Sequence, residues 1–255
     1  GTTSAVVSSA GVVKSGLIAG DTVTVTSSGV FADKNAGTGK TVNLSNSYGG
    51  ADLGNYAITD QNTAMANINA KALSIIGSYA SGKTYDGNTN AIITAGTLSG
   101  LVGNETLTVN GAGSFASKNV GSYNINTSYT LRDAGIGATA GLAANYSLTN
   151  DILSASISAK ALTISGIVVA NKTYDGITSA TVNTAGLLKS GLIAGDVVTV
   201  SSSGAFSDKN AGVGKTVNLV NNLAGVDAGN YVLNGQSTAL ANISPAVLTV
   251  TANST

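Results

Sequence analysis

The chain has 255 residues, 43% of them hydrophobic and only 9% charged, with twelve basic side chains balancing twelve acidic ones. That balance gives no electrostatic basis for a nucleic-acid groove or a polybasic membrane surface. The lack of Cys, His and Trp removes disulfides, thiolate and imidazole metal ligands, and nucleophile systems built on Cys or His.

Apolar residues alternate with polar ones along most of the chain, which predicts strands. Residues 22–26 (Thr-Val-Thr-Val-Thr) read as a half-buried strand closed by Ser and Gly, and residues 40–44, 56–59, 64–68 and 73–76 are further short candidates. The same alternation returns at residues 106–109 and 197–200. Helix signals are poor, because 33 glycines and many β-branched residues interrupt any 3.6-residue apolar period. Only residues 10–19 and 185–194 suggest a short coiled turn. No segment approaches the ~18 apolar residues of a membrane-spanning helix. Gly37-Thr38-Gly39 lacks the strand-to-helix context of a phosphate loop and a Lys-Ser/Thr at the proper spacing from its first glycine, and reads as an ordinary loop.

Self-similarity is the strongest signal. Residues 1–68 match residues 176–243 without a gap at an offset of 175: Gly-Leu-Ile-Ala-Gly-Asp recurs at 16–21 and 191–196, and Asp-Lys-Asn-Ala-Gly at 33–37 and 208–212. A more divergent copy lies between them. It carries Lys83, Thr84, Tyr85, Asp86 and Gly87, the same string as Lys172, Thr173, Tyr174, Asp175 and Gly176. Lys34-Asn35, Lys118-Asn119 and Lys209-Asn210 correspond, as do Asn55-Tyr56, Asn145-Tyr146 and Asn230-Tyr231. The chain therefore divides into repeat one (1–70), repeat two (71–159), repeat three (160–244) and a tail (245–255). Six to eight strands per copy predict an all-β chain of three immunoglobulin-like β-sandwich repeats in a linear array.

Candidate chemistry is sparse. In Lys-Thr-Tyr-Asp-Gly, Tyr85 and Tyr174 offer an amphipathic ring to a sandwich edge with the hydroxyl reaching backbone, while Asp86-Gly87 and Asp175-Gly176 are turn pairs. That structural reading outweighs one in which the two aspartates bind sugar or a cation, since no D-x-D-x-D-G loop is present. The sole glutamate, Glu105, and its counterparts Asp21 and Asp196 each precede a strand singly, the position of a turn residue and not of a paired-carboxylate catalyst. The chain is expected to be no enzyme and to need no cofactor. Lys34, Lys118 and Lys209 are conceivable cross-linking lysines, though spacing supplies no proximity.

The repeated Lys-Thr-Tyr-Asp-Gly string, with Leu-Thr-Ile ahead of it and Gly-Asn-Tyr after it, resembles the YDG-type repeat of very large bacterial surface proteins, including haemagglutinin-like adhesins. The resemblance implies a secreted, cell-surface array that holds a functional tip away from the cell. Expected partners are neighbouring repeats or further copies of the chain, with no nucleic acid and no membrane span. A ligand-binding adhesin, touching a glycan or host protein, is the alternative, and Tyr48, Tyr79, Tyr123 and Tyr129 are its candidate contacts because the other copies lack them.

The two ends carry one further expectation. Repeat one starts at the motif's last residue, Gly1, and so contains no counterpart of the strand at 73–76. Ala246, Val247, Leu248, Thr249 and Val250 align with residues 71–75 at the same offset of 175. They read as the opening strand of a following module, either continuing a covalent array or donated head to tail to the open first repeat of another copy, as a filament would require.

Overall fold

The computed structural model describes residues 1–10, 12–135, 137 and 139–252. The chain is all-β, as the alternation predicts: the described residues form 23 strands and three single turns of 3₁₀ helix, with no α-helix. Two compact units emerge. One comprises Gly1–Tyr79, Ile93–Ala112 and Thr127–Asp151; the other comprises Ala80–Ile92, Gly113–Asn126 and Ile152–Thr255. The middle repeat is thus shared between them.

The second unit contains repeat three whole. Its larger sheet has five strands in the order Lys172–Thr173, Thr238–Ser244, Gly212–Ala224, Thr199–Phe206, Ser179–Ala180. Its smaller sheet centres on the opening strand Lys160–Ser165. That strand pairs antiparallel with Leu188–Ser190 and parallel with Tyr231–Gly235, in the register Lys160↔Tyr231 to Ile164↔Gly235. Period-two burial places Ile164, Phe206, Val217, Leu219, Ala241 and Ile243 in one core, joined by Ile167 and Val169, so both sheets contribute to it. Repeat two supplies this unit with residues 121–126 antiparallel to residues 152–157, and with Lys83–Thr84 running parallel to the last residues of that strand.

The first unit contains repeat one. Its four-stranded sheet runs Ser4–Ala5, Thr24–Phe31, Gly37–Gly49, Thr63–Ile68. The central hairpin has the register of repeat three residue for residue: Thr24 faces Gly49 as Thr199 faces Ala224. Even the bulge recurs, between Gly37 and Lys40 and between Gly212 and Lys215. Repeat two adds a smaller sheet built like that of repeat three, with Lys71–Ile76 antiparallel to Thr97–Ser99 and parallel to Tyr146–Leu148.

Two expectations fail, and both failures have the same cause. Residues 56–59 form no strand in repeat one, although their counterparts Tyr146–Leu148 and Tyr231–Gly235 do. In repeats two and three an opening strand stands beside that segment and supplies its ladder partner; among the described residues no strand stands beside it in repeat one, and backbone without a partner forms no ladder. Conversely, the 185–194 stretch is not a coiled turn throughout: Leu188–Ser190 is a strand, because Lys160–Ser165 lies next to it.

The same difference opens the core of repeat one. Ala241, Ile243 and Phe206 are 4%, 2% and 3% exposed. Their repeat-one counterparts behave otherwise: Ala66 is exposed, and Ile68 and Phe31 are half-buried. Leu162 and Ile164, which cover this side of repeat three, have no equivalent there. What remains is a groove of about 920 Å³, whose lining includes Val12, Val25, Leu44, Ile58 and Ala66.

A polar clamp between consecutive repeats

The candidate site lies where one repeat hands over to the next, and the backbone explains why the recurring string of repeat two ends there. Lys83–Thr84 runs parallel to the final strand of its own repeat, and the Tyr85 amide donates to the carbonyl of Ser158, two residues before the opening strand of repeat three. Tyr85 therefore emerges beside the following repeat. Around it the chain turns: the Lys83 ammonium donates to Asp86 Oδ1 at 2.8 Å and to the carbonyl of Asn88, the Asn88 amide caps the same Oδ1, and Gly87 sits at φ +79°. That left-handed value is open to glycine without the Cβ clash. Lys172, Asp175 and Gly176 repeat the arrangement, with Gly176 at φ +84°. Lys83 and Asp86, like Lys172 and Asp175, thus act within a turn, and neither aspartate lies in a cluster suited to a cation. Among the described residues no group of three His, Cys, Asp or Glu side chains could hold a metal ion.

The Tyr85 hydroxyl passes over backbone and donates instead to Asp196 Oδ2 of repeat three at 2.8 Å. Its ring is 1% exposed and meets Tyr231 edge to face, with centroids 5.5 Å apart and planes at 76°. Tyr231 donates its own hydroxyl to the same Oδ2 at 2.6 Å, and that hydroxyl oxygen accepts the Ile193 amide at 2.9 Å. Lys118 brings its ammonium to 3.4 Å from Asp196 and 3.6 Å from Asp227, 6.0 Å from the Tyr85 centroid. Beside this core, the Val120 amide donates to Asn230 Oδ1 at 2.9 Å, and Asn230 Nδ2 donates to Asn119 Oδ1 at 3.1 Å.

Local structure presents each of these groups. A turn closed from the Asp196 amide to the Ile193 carbonyl lifts the acid. The 3₁₀ turn Ala228–Asn230 delivers Asn230 and Tyr231 together.

The electrostatics follow from the geometry. Burial opposes ionisation of Asp196, but donation from the Tyr231 and Tyr85 hydroxyls and from Lys118 outweighs it and holds the acid below its ordinary value. Burial, reinforced by that carboxylate, pushes the Tyr231 hydroxyl up to about 12. The Lys118 ammonium is raised by its contact with the Tyr85 hydroxyl and then by Asp196.

The same plan joins repeats one and two. Tyr146 donates to Glu105 Oε2 at 2.5 Å and accepts the Val102 amide, while Lys34 pairs with Glu105 Oε1 at 2.9 Å. The Ala36 amide donates to Asn145 Oδ1 at 2.7 Å, and Asn145 Nδ2 to Asn35 Oδ1 at 3.0 Å. The Tyr146 hydroxyl bond first, then Lys34, lowers the Glu105 carboxyl. No tyrosine corresponds to Tyr85 here, and the counterpart residues line a small cleft of about 180 Å³ with Gly1, Lys34, Glu105 and Tyr146 in its wall.

Of the residues singled out in the sequence, Tyr85 enters the clamp, whereas Tyr174 is 38% exposed. Residues 246–250 belong to no strand, and Val247, Leu248 and Val250 are 93%, 86% and 85% exposed. Residues 253–255 of the predicted tail lie outside the described residues. Tyr123 and Tyr129 use their hydroxyls internally, on the Asn119 carbonyl and on Asp151, and Tyr48 lines the repeat-one groove, which leaves Tyr79 exposed at 56%. Glu105, Asp196, Asn145 and Asn230 are the residues that sequence reasoning passed over as turn or marker positions. Their threefold recurrence together with a Lys-Asn pair was the available signal.

No curated protein and no solved structure matches the chain. A family model described as the YDG domain matches it three times, over residues 1–64, 69–153 and 158–239, so that each clamp joins two matched segments. On that match the chain belongs to the YDG domain family.

Proposed function

We propose that the chain is a non-catalytic structural segment of an extracellular bacterial fibre or adhesin stalk, built from immunoglobulin-like repeats that are completed head to tail by strand complementation. The observation that carries this reading is the correspondence between groove and tail. In repeats two and three the opening strand buries Leu73 at 5% exposure, and Leu162 and Ile164 at 0% and 1%. Repeat one has the groove with no such strand in it among the described residues, while Leu248 and Val250 align with Leu162 and Ile164 and are exposed. Seating them would contribute about 1.5–3 kcal/mol per side chain, besides the ladder hydrogen bonds on both flanks. The donating segment and the groove lie in different repeats, so the contact is heterologous and extends into a filament.

Negative-stain electron microscopy of the chain, with a 245–255 deletion beside it, tests the reading. Filaments that vanish on deletion, and a tail peptide of residues 245–252 that binds the deleted chain, are expected. Filaments that persist without the tail, or a deleted chain indifferent to the peptide, would refute strand complementation.

A further inference from the structure

Each clamp has two unlike halves. The trailing half comes from the earlier repeat and consists of tyrosine, lysine and asparagine: Tyr85, Lys118 and Asn119. The leading half comes from the later repeat and consists of acid, asparagine and tyrosine: Asp196, Asn230 and Tyr231. The chain holds one more copy of each half, and neither is engaged among the described residues. Tyr174, Lys209 and Asn210 form a trailing half on repeat three; Asp21, Asn55 and Tyr56 form a leading half on repeat one.

The free leading half is already assembled. Tyr56 donates to Asp21 Oδ2 at 2.7 Å and accepts the Ile18 amide at 3.0 Å, against 2.6 Å and 2.9 Å for Tyr231 with Asp196 and Ile193. Asp52 holds the Thr22 amide at 2.8 Å just as Asp227 holds Val197 at 2.9 Å, so both acids that face Lys118 in the occupied clamp have a counterpart here. Exposure marks the difference between occupied and free. Asn230 is 4% exposed and Asn55 is exposed; Tyr231 is 7% exposed and Tyr56 is half-buried.

We propose that Asp21, Asn55 and Tyr56 are the docking face for Tyr174, Lys209 and Asn210 of a second copy of this chain. The inference rests on the structural reading above and names a second, polar set of contacts for the same assembly. In the joint, the Tyr174 hydroxyl donates to the Asp21 carboxylate beside that of Tyr56, and the Lys209 ammonium lies against Asp21 and Asp52. Asn55 Oδ1 accepts the Ala211 amide, the counterpart of Val120. Charge is complementary, since the acceptor presents two carboxylates and the donor one ammonium.

Sedimentation velocity over a concentration series tests the proposal. The intact chain associates, and Tyr174→Ala weakens association by about 10- to 100-fold, as removal of a central aromatic anchor does. Tyr174→Phe, which keeps the 38%-exposed ring and removes only the hydroxyl meant for Asp21, also weakens association, with the urea midpoint of the dilute chain unchanged. Lys209→Asp and Asp21→Lys each fail to associate alone and associate when mixed. Asn55→Ala, an exposed position, weakens association without any risk to the fold that Asp21→Lys could carry. Failure of the two readings is distinguishable. Association lost on deleting the tail but unchanged in Tyr174→Ala and Asn55→Ala overturns the clamp and leaves strand complementation standing. Association kept on deletion but lost in Tyr174→Ala does the reverse. A chain that stays monomeric at every concentration overturns the proposal outright.

Discussion

Removing one oxygen atom from Tyr85 isolates what the clamp adds to the fold. In Tyr85→Phe the ring keeps its edge-to-face contact with Tyr231, while the 2.8 Å bond to Asp196 and the hydroxyl's contact with Lys118 are lost. A hydrogen bond to a charged group contributes about 1.5–3 kcal/mol. Asp196 retains the Tyr231 hydroxyl at 2.6 Å and Lys118 at 3.4 Å, so the carboxylate is not orphaned and the low end, about 1.5 kcal/mol, applies. Divided by a urea dependence of about 1–3 kcal/mol/M, that lowers the unfolding midpoint by about 0.5–1.5 M. Tyr85→Ala also empties a site that is 1% exposed, and truncation of a buried aromatic adds about 3–5 kcal/mol. The assay is urea unfolding followed by far-ultraviolet circular dichroism, with Tyr174→Phe as the matched control. Tyr174 carries the same motif without the contact inside its own chain, so at concentrations where the chain is monomeric its midpoint should not move. Equal midpoints for Tyr85→Phe, Tyr174→Phe and the parent would refute the assignment of any clamping role to the tyrosine hydroxyl.

Asn230→Ala strands the Val120 amide and should cost about 1–3 kcal/mol with faster hydrogen exchange at Val120, whereas Asn55→Ala should leave stability within about 0.5 kcal/mol. The clamp should also set pH limits. Asp196 is depressed below its ordinary 3.8, so its contribution is present above that value and is lost as pH falls through the lower folded value. Tyr231 is raised from 10.0 to about 12, so its contribution is complete below 10.0 and disappears as pH rises from there to about 12. Thermal melts across pH should show both limbs, with Asp196→Asn reducing the acid one, to which the lowered Glu105 carboxyl also contributes; a flat profile would contradict the geometry. Gly225 has φ +116°, and a Cβ there would stand 2.3 Å from the Val197 carbonyl oxygen; Gly225→Ala should therefore destabilise by about 3 kcal/mol in urea unfolding. Leu248→Asp with Val250→Asp should leave the melting temperature unchanged, since both side chains are exposed, and should eliminate any filaments seen by electron microscopy.

The fold was legible wherever the relevant signal was local. Alternation at residues 22–26 and 197–200 announced the strands Thr24–Phe31 and Thr199–Phe206, and the constant offset of 175 foretold that their hairpins share a register. What sequence could not convey was whether a candidate strand has a neighbour to pair with. Residues 56–59 and Tyr231–Gly235 are corresponding segments, and only the second stands beside an opening strand. The clamp was hidden for a related reason. Tyr85 finds its acid 111 positions later, and the acid of each repeat looks like a turn residue because it also is one: the Asp196 amide closes a turn while its carboxylate serves the preceding repeat. A residue with two jobs shows the commoner one in its sequence context.

The pairing of the opening strand with Tyr231–Gly235 has a mechanical consequence. These two segments lie near the beginning and the end of repeat three and run parallel over five paired positions, Lys160↔Tyr231 to Ile164↔Gly235. Tension drawn through the ends of the repeat would pull the paired segments in opposite directions along their own axes. The ladder is then loaded in shear, all its hydrogen bonds straining together, where an antiparallel pair pulled from its open end would unzip bond by bond. Lys172–Thr173, parallel to Thr238–Ser244, is set the same way in the other sheet. Resistance of this kind is governed by the unfolding rate and not by equilibrium stability, so a repeat of modest free energy can still hold under force.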